Sequence, residues 1–164
     1  MLLVDADPQA SVTKWFDLTV EDLPFDCTQL TTARVLYQQI PRLRQSYDLI
    51  VVDCPPMQTD VTAAAVTQAD LGLVPLLRQA QGVNATLTLR FVINQLPPRT
   101  TLAREMQDTL VDADIPVLPT YIHDRQVYRR VVALGATVLS ESRPARDDLL
   151  ALKKDVVHAL KITA

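Results

Sequence analysis

Acidic residues stand at the ends of two apolar runs that have the composition of buried strands. Asp5 ends a run over residues 2–5 and Asp7 follows it, while Asp53 ends a second run over residues 49–53. Short, largely β-branched runs without alternation are typical of strands buried on both faces of a parallel sheet. Because ligands of open parallel sheets bind beyond the carboxyl ends of the strands, we expect the three carboxylates to meet there. Carboxylates held together repel one another unless a cation joins them, so the leading interpretation is a site for Mg²⁺ and phosphate.

The sequence contains no glycine-rich phosphate loop. A loop of the form G-x-x-x-x-G-K-[ST] needs closely spaced glycines so that successive backbone N–H groups can approach the anion. The 164 residues include three glycines, Gly72, Gly82 and Gly135, and none stands near a Lys-Ser or Lys-Thr pair. The acidic half of a phosphate site is therefore present without its usual phosphate-binding half.

Five short motifs follow one another along the chain. Residues 5–11 read D-A-D-P-Q-A-S, residues 48–56 read D-L-I-V-V-D-C-P-P, and residues 91–95 read F-V-I-N-Q. A helix start at 98–105 and a strand followed by a helix at 115–129 complete the series. In this order they resemble the ParA/MinD family of deviant-Walker P-loop ATPases, most closely its plasmid and chromosome partition ATPases. The first three correspond to the family's D-x-D-P-Q-G-S/N motif, its Walker B strand and the strand whose asparagine contacts adenine.

The resemblance implies roles for individual residues. Asp53 would hold Mg²⁺ through water, and Asp7 would orient the water that attacks the γ-phosphate of ATP. Asp5 would assist nucleotide binding by supporting the hydration shell of the metal, and Asn94 would meet the adenine. Phosphoryl transfer asks a protein for this kind of positioning and charge neutralisation rather than for covalent chemistry. The implied cofactors are ATP and Mg²⁺, and the implied reaction is hydrolysis of ATP to ADP and phosphate.

The chain departs from the family pattern at its start. Family members begin with a strand, a K-G-G-x-G-K-[ST] loop and a helix before the D-x-D motif, whereas Met1 stands inside the strand that leads to it. We therefore expect one ParA-like ATPase domain over residues 1–164 that lacks this first strand, loop and helix and is truncated at the amino terminus. The chain by itself is then expected neither to bind ATP tightly nor to hydrolyse it.

Arginines are concentrated in the second half of an acidic chain. Five of them, Arg99, Arg104, Arg125, Arg129 and Arg130, form one basic concentration. One interpretation is a solvated helix face with acidic neighbours, as most charge runs are. The other, which the resemblance suggests, is non-specific contact of Arg125, Arg129 and Arg130 with DNA phosphates, with an affinity that depends strongly on salt.

Composition is that of a globular domain. The chain is 48% hydrophobic and 21% charged, which excludes disorder, and no apolar stretch approaches the ~20 residues of a membrane helix. The amino terminus shows no signal-peptide pattern. Cys27 and Cys54 lack the spacing of a metal or redox motif, which favours reduced thiols in a cytoplasmic protein. A net charge of −3 argues against a strongly basic nucleic-acid protein.

The resemblance also implies partners and location. It predicts a homodimer that forms with ATP, binds non-specific DNA and meets a centromere-binding partition partner. It further predicts a cytoplasmic, nucleoid-associated protein that binds no membrane.

Strand and helix signals alternate along the chain, which is the pattern of an α/β layer architecture. We therefore predict a mainly parallel sheet flanked by helices, of the P-loop NTPase type. Predicted strands cover 2–5, 49–53, 71–75, 91–94 and 117–121. Predicted helices cover 28–46, with Pro41 kinking or ending it, 100–113, 125–134 with Gly135 closing it, and 146–160.

Two alternatives remain open at this point. A receiver domain also has an early acidic pair and a phosphorylated aspartate after a strand. It needs a lysine near the end of its last strand, however, and no lysine occurs between Lys14 and Lys153. The second alternative is an inactive, truncated family member that acts only as a binding or adaptor module.

Overall fold

The structure of this chain is a computed structural model that describes residues 1–20, 22–56, 59–74, 87–97, 101, 105, 108–110 and 116–160. By internal contacts the chain divides into two units, Met1–Ala69 with Val132–Ala136, and Asp70–Val131 with Thr137–Ala164. Both units contain parallel strands flanked by helices, so the predicted α/β fold class is confirmed. The single ParA-like domain over residues 1–164 stays a prediction. No described helix is long and apolar enough to cross a membrane.

The first unit is built on three parallel strands. Strand β1 (Leu2–Asp5) lies between β2 (Asp26–Gln29) and β3 (Ile50–Asp53), and both of its neighbours run parallel to it. The runs predicted at 2–5 and 49–53 therefore do form strands. Strand β2 was not predicted, because its sequence D-C-T-Q has no apolar run and becomes a strand by pairing with β1.

The described residues of Met1–Ala69 form the helices α1 (Ser11–Leu18), α2 (Ala33–Leu43) and α3 (Asp60–Gln68). The core between the sheet and these helices contains Leu2, Val4, Ala6, Leu36, Ile40 and Ala64. Strand β1 and α2 provide most of these residues. Packing against α2 therefore holds the strand that ends in Asp5 in place.

The predicted helix over 28–46 was wrong at its start. Thr28 lies in β2, and the helix begins at Ala33, where the Thr32 hydroxyl accepts a hydrogen bond from the Val35 N–H at 3.4 Å. Pro41 lies inside α2, which ends only two residues later, at Leu43. Proline has no N–H to bond the carbonyl four residues before it, which accounts for a helix that ends soon after Pro41.

In the second unit the described residues also form three parallel strands, in the order β4 (Leu71–Val74), β5 (Thr88–Leu96) and β6 (Val117–His123). Strands β5 and β6 extend beyond the predicted ranges 91–94 and 117–121. The predicted helix over 100–113 lies largely outside the described residues.

The carboxyl-terminal part adds three helices, α4 (Gln126–Leu134), α5 (Val138–Glu141) and α6 (Arg143–Ala159). Helix α4 is followed by Gly135 at φ +60°, the closing residue that the sequence predicted. Helix α6 starts earlier than the predicted residue 146, because the Ser142 hydroxyl accepts from the Ala145 N–H at 3.4 Å. It packs on β6, where the Asp155 carboxylate accepts a hydrogen bond from the Thr120 N–H at 2.9 Å.

Each three-stranded sheet has an end strand with an exposed apolar side chain. Val51 in β3 is 42% exposed, and Leu73 in β4 is 44% exposed. Strands of parallel sheets are normally covered on both faces. These two strands therefore lack, within the described residues, the cover that their sequences predict.

The turn between β1 and α1 contains a strained residue. Ala10 adopts the left-handed conformation, φ 54° and ψ 40°, at the position where the family motif has glycine. A side chain in this region costs roughly 1–2 kcal/mol, and the greater freedom of an unfolded glycine offsets part of that cost. We expect Ala10→Gly to raise the free energy of unfolding by about 0.5–1 kcal/mol, measured by urea denaturation.

The matched control for this change is Ala63→Gly, the same substitution at an exposed position inside helix α3. Glycine at a right-handed helical position should lower the free energy of unfolding by about 1 kcal/mol. If both substitutions destabilise the protein, Ala10 carries no strain that glycine relieves.

Candidate functional site

The parallel register brings the predicted carboxylates to one end of the first sheet. Asp5 in β1 lies directly opposite Asp53 in β3, and the Ala6 N–H donates to the Asp53 backbone carbonyl at 2.9 Å. Asp7 follows Asp5 by two residues, in the turn that leads into α1. The prediction that Asp5, Asp7 and Asp53 share one edge of a parallel sheet is therefore confirmed for the strands that carry them.

Asp5 is fully buried and saturated with protein donors. One carboxylate oxygen, Oδ2, accepts hydrogen bonds from the Thr13 N–H at 2.8 Å and from the Thr13 hydroxyl at 2.9 Å. The other oxygen, Oδ1, accepts from the Asp7 N–H at 3.2 Å. Asp5 thus ties the first turn of α1 and the Asp7 loop to the end of β1, and its predicted contact with the hydration shell of a metal stays a prediction.

Asp7 is half-buried at the mouth of this turn. Its Oδ1 accepts from the Gln9 N–H at 2.8 Å, and its backbone carbonyl accepts from the Ala10 N–H at 2.9 Å. Within the described part of the chain its second oxygen, Oδ2, accepts no hydrogen bond. Asp7 is therefore held in place by one oxygen while the other is available to a water or a ligand.

The Asp53 carboxylate, unlike those of Asp5 and Asp7, accepts no hydrogen bond from a described residue. Partial burial, with the charges of Asp5 and Asp7, raises its pKa above the ordinary value. A carboxylate that is penalised by two like charges gains most from a cation. Mg²⁺ is usually anchored by one or two carboxylates and completes its coordination with water and substrate phosphates. The residues present therefore fit a Mg²⁺ ion bound through Asp53.

Protein side chains alone do not form a complete metal cage. Among the residues that the structure describes, no group of three or more His, Cys, Asp or Glu side chains is arranged to hold a metal ion.

We expect Asp53→Asn to stabilise the ligand-free protein at pH 7. The pKa of Asp53 is higher in the folded state than in the unfolded state. The free energy of unfolding therefore falls as the pH rises through the folded pKa, because the native state must then hold an unfavourable charge. The amide removes this penalty. Since Asp53 is exposed to solvent, the gain in unfolding free energy should be below about 1 kcal/mol.

Urea denaturation at pH 7 and pH 4 measures this effect, with the exposed Asp48→Asn as the control. The gain for Asp53→Asn should shrink at pH 4, where the unfolded carboxylate is itself partly protonated. A loss of stability at pH 7 would mean that Asp53 has a stabilising partner instead.

Cys54 follows Asp53 directly and has a raised thiol pKa. Burial, and secondarily the charge of Asp53, raises its pKa to about 11, so the thiol stays protonated at neutral pH. Cys27 and Cys54 are both free, as the sequence predicted.

Asn94 belongs to the second unit, near the end of β5. It is exposed, and its Oδ1 accepts from the Gln95 N–H at 2.8 Å. Gln95 is itself left-handed, with φ 57°, where the pairing of β5 with β6 is irregular. No described residue accepts from the Asn94 amide nitrogen, which is therefore available as a donor, as contact with an adenine acceptor would require.

The three arginines predicted to bind DNA have different surroundings. The Arg125 Nε donates to Asp148 Oδ2 at 3.0 Å, and His123 Nδ1 lies 3.1 Å from the same oxygen. Burial would raise the pKa of Asp148, but the hydrogen bonds from Arg125 and His123 hold it below the ordinary value. Arg125 is therefore committed to joining the end of β6 to α6.

Arg129 and Arg130 reach the surface of α4. The Arg129 side chain is 68% exposed and pairs with Asp124 at 3.0 Å, an arrangement that contributes little in solvent. Arg130 is exposed and lines a shallow groove beside Glu141 and Ser142. Of the three arginines, these two are placed to meet an external anion.

Comparison with known proteins identifies the family. A protein-family model described as an AAA domain matches residues 16–106, more than half of the chain. The chain is also 30% identical, over 94% of its length, to the "Maintenance of carboxysome distribution protein A" of Halothiobacillus neapolitanus, and the match covers 82% of that protein. The chain belongs to the ParA/MinD family of P-loop ATPases.

Two further comparisons agree with this family. The protein of the same name from Gloeobacter kilaueensis is 32% identical over 85% of this chain and 70% of its own length. Among solved structures, a Borrelia burgdorferi B31 protein described as a plasmid partition protein, bound to AMPPNP, matches with a TM-score of 0.73 at 16% identity. That match covers 96% of this chain and 86% of the other and shows a common fold.

Sequence reasoning about this ParA/MinD-type chain assigned no role to two residues, one in each unit. Thr13 supplies two of the donors to Asp5, and Asp148 binds both Arg125 and His123. Thr13 stands eight residues after Asp5, where the helical turn after the D-x-D motif is a usable signal. Asp148 lies 23 residues beyond Arg125, and no local pattern indicates that pair.

Proposed function

We propose that this chain is a ParA-type ATPase that uses ATP-dependent binding to DNA to distribute a cargo inside the cell. The observation that carries the proposal is the meeting of Asp5, Asp7 and Asp53 at the ends of two adjacent parallel strands, with Asp53 uncompensated. Family membership supports ATP as the nucleotide, because this arrangement of acids serves phosphoryl transfer.

Each acid has a separate task in this proposal. Asp53 holds Mg²⁺, which when bound neutralises charge on the β- and γ-phosphates. Asp7 orients the attacking water with the carboxylate oxygen that the protein leaves unbonded. Asp5 acts through Asp7, since its hydrogen bonds to Thr13 and to the Asp7 N–H fix the position of the loop.

Asn94 is the proposed adenine contact. Its amide oxygen is occupied by the Gln95 N–H, so its amide nitrogen donates to a ring nitrogen of the base. Because Asn94 would act as a donor, a purine with an acceptor ring nitrogen facing Asn94 should bind better than a purine with a donor there.

The relatives suggest the class of cargo. Two relatives of 30% and 32% identity are named for the maintenance of carboxysome distribution, so a large protein assembly is the cargo that we favour. Plasmid partition is the second candidate, supported by the fold of the Borrelia burgdorferi protein. In either case we infer an ATP-dependent homodimer, a nucleoid-associated location and an adaptor protein that links it to the cargo.

Arg129 and Arg130 carry the proposed contact with DNA. Both are exposed on α4, whereas Arg125 is held by Asp148. Phosphate contacts are independent of base sequence, and each one that is lost reduces the slope of affinity against salt by about one.

The experiment uses a chimera in which the family's strand, K-G-G-x-G-K-[ST] loop and helix are joined ahead of Met1. With ATP and Mg²⁺ it should retain random-sequence DNA in a gel-shift assay, and Arg129→Glu should weaken binding to all sequences alike, with a flatter salt dependence. Arg34→Glu, an equal charge reversal on α2, is the control and should bind as the parent chimera does. Equal DNA affinity with and without ATP would contradict the proposed function, and an unchanged salt slope in Arg129→Glu would exclude that residue.

A further inference from the structure

A groove runs along the outer edge of the first sheet, between strand β2 and helix α2. Its volume is ≈ 320 Å³. Thr28 and Leu30 lie along the strand side, Leu2 forms part of the floor, and Val35, Gln39 and Leu43 form the helix side. The site described above uses none of these residues.

The strand beside the groove has one unpaired edge. The Asp26 N–H donates to the Met1 carbonyl at 3.2 Å, and the Leu30 N–H donates to the Asp5 carbonyl at 2.9 Å, so every second residue of this segment faces β1. Cys27 and Gln29 therefore direct their backbone N–H and carbonyl groups away from β1. Among the described residues no strand pairs with this edge. It presents the donors and acceptors that an added strand would use.

The helix side of the groove is formed by residues one turn apart, two of them apolar with a glutamine between them. Val35, Gln39 and Leu43 follow one another at intervals of one turn and are partly exposed, while Leu36 and Ile40 on the adjoining face are buried in the core. A cleft between an edge strand and a helix can take an extended peptide by β-strand addition, with alternate side chains entering the cleft.

Among the described residues that line the groove, Asp26 is the one that carries a charge. The Tyr47 hydroxyl donates to its Oδ2 at 2.7 Å, which fixes the carboxylate at one end of the cleft. No described residue donates to the other oxygen, which is available to a ligand. The charge is negative, so a cationic side chain is its complement.

We propose that this groove binds an extended segment of a partner protein, which adds a strand to β2. An apolar side chain of the segment enters the cleft between β2 and α2, and a Lys or Arg meets Asp26. A second copy of β2 is a poor occupant, because its sequence D-C-T-Q has no basic residue to offer. This inference is independent of the ATPase proposal, since it uses only the outer edge of the first sheet.

Selection from a random heptapeptide library displayed on phage, against the full chain, tests the proposal. Enriched sequences should share a basic residue near a β-branched or other apolar residue, and selection against Asp26→Lys should replace the basic residue with an acidic one. A fluorescein-labelled synthetic peptide of the enriched sequence then allows affinities to be measured by anisotropy. Asp26→Asn should weaken its binding by about threefold.

Two matched pairs of variants locate the peptide. Cys27→Pro removes the outward N–H and should lower affinity by about fivefold, whereas Cys27→Ala keeps that N–H and should retain most of the binding. Gln39→Trp fills the cleft and should abolish binding, while Gln38→Trp, exposed on the same helix, should not. If circular dichroism shows that Cys27→Pro does not fold, the comparison of Gln39→Trp with Gln38→Trp decides whether the peptide occupies the groove.

Three results would overturn the proposal. They are a selection that enriches no common sequence, peptides that bind Gln39→Trp and Gln38→Trp equally, and a consensus that is the same for Asp26→Lys as for the parent chain. Concentration-dependent dimerisation that Gln39→Trp alone prevents would show instead that a second copy occupies the groove.

Discussion

Asp5→Ala should lower the free energy of unfolding by about 3 kcal/mol. The substitution leaves three donors without an acceptor, namely the Thr13 N–H, the Thr13 hydroxyl and the Asp7 N–H. Asp5 is 0% exposed, so water does not replace the lost carboxylate without rearrangement of the turn. Urea denaturation followed by far-ultraviolet circular dichroism measures the loss.

Two controls separate this role from a general effect of removing acid. Thr13→Val keeps the shape of the side chain and removes one donor, so it should cost about 1 kcal/mol. Asp7→Ala removes an exposed hydrogen bond to the Gln9 N–H and should cost less than Asp5→Ala by about 2 kcal/mol. Equal losses for Asp5→Ala and Asp7→Ala would show that burial does not distinguish the two acids.

The meeting of Asp5 and Asp53 was predictable because it follows from rules that the sequence already contains. Two apolar runs without alternation indicate parallel strands, and parallel strands bring their carboxyl ends to one edge. Opposite roles for Asp5 and Asp7 were not predictable in the same way. The two acids are two residues apart, and it is the bonding of Asp5 to Thr13, made when α1 folds back on β1, that buries one and leaves the other half-exposed.

Strand β2, at the edge of the first sheet, is a second feature that local sequence pattern does not predict. Strand β2 has no apolar run and is a strand only because β1 supplies its hydrogen bonds, so local pattern predicted a helix over residues 28 and 29. The groove beside β2 could not be inferred before that strand was known. Long-range pairs such as Arg125 with Asp148 are similarly absent from any local signal, although the cap at Ser142 that begins the helix of Asp148 is a local one.

Asp7→Ala should abolish ATP turnover while leaving nucleotide binding nearly unchanged. The relevant protein is the chimera with a K-G-G-x-G-K-[ST] segment ahead of Met1, because the 164 residues contain no glycine loop to neutralise and grip the phosphates. Asp7 has one carboxylate oxygen bonded to the Gln9 N–H and the other directed to no described donor, an arrangement suited to orienting water. We expect turnover to fall by about a hundredfold or more, with the Kd for ATP changed by less than about threefold.

Phosphate release measures turnover, and titration of a fluorescent ATP analogue with Mg²⁺ measures binding. Asp53→Ala in the same chimera is the comparison, since loss of the metal carboxylate should weaken the Mg²⁺ dependence of binding as well as turnover. The 164-residue chain without the added segment should show no saturable micromolar binding. If it does bind the analogue, and Asp53→Ala removes that binding, then the glycine loop is dispensable and the acids alone hold the nucleotide. If instead the chimera is as inactive as the shorter chain, the acidic edge is not a hydrolytic site and the chain is better described as an adaptor of this family.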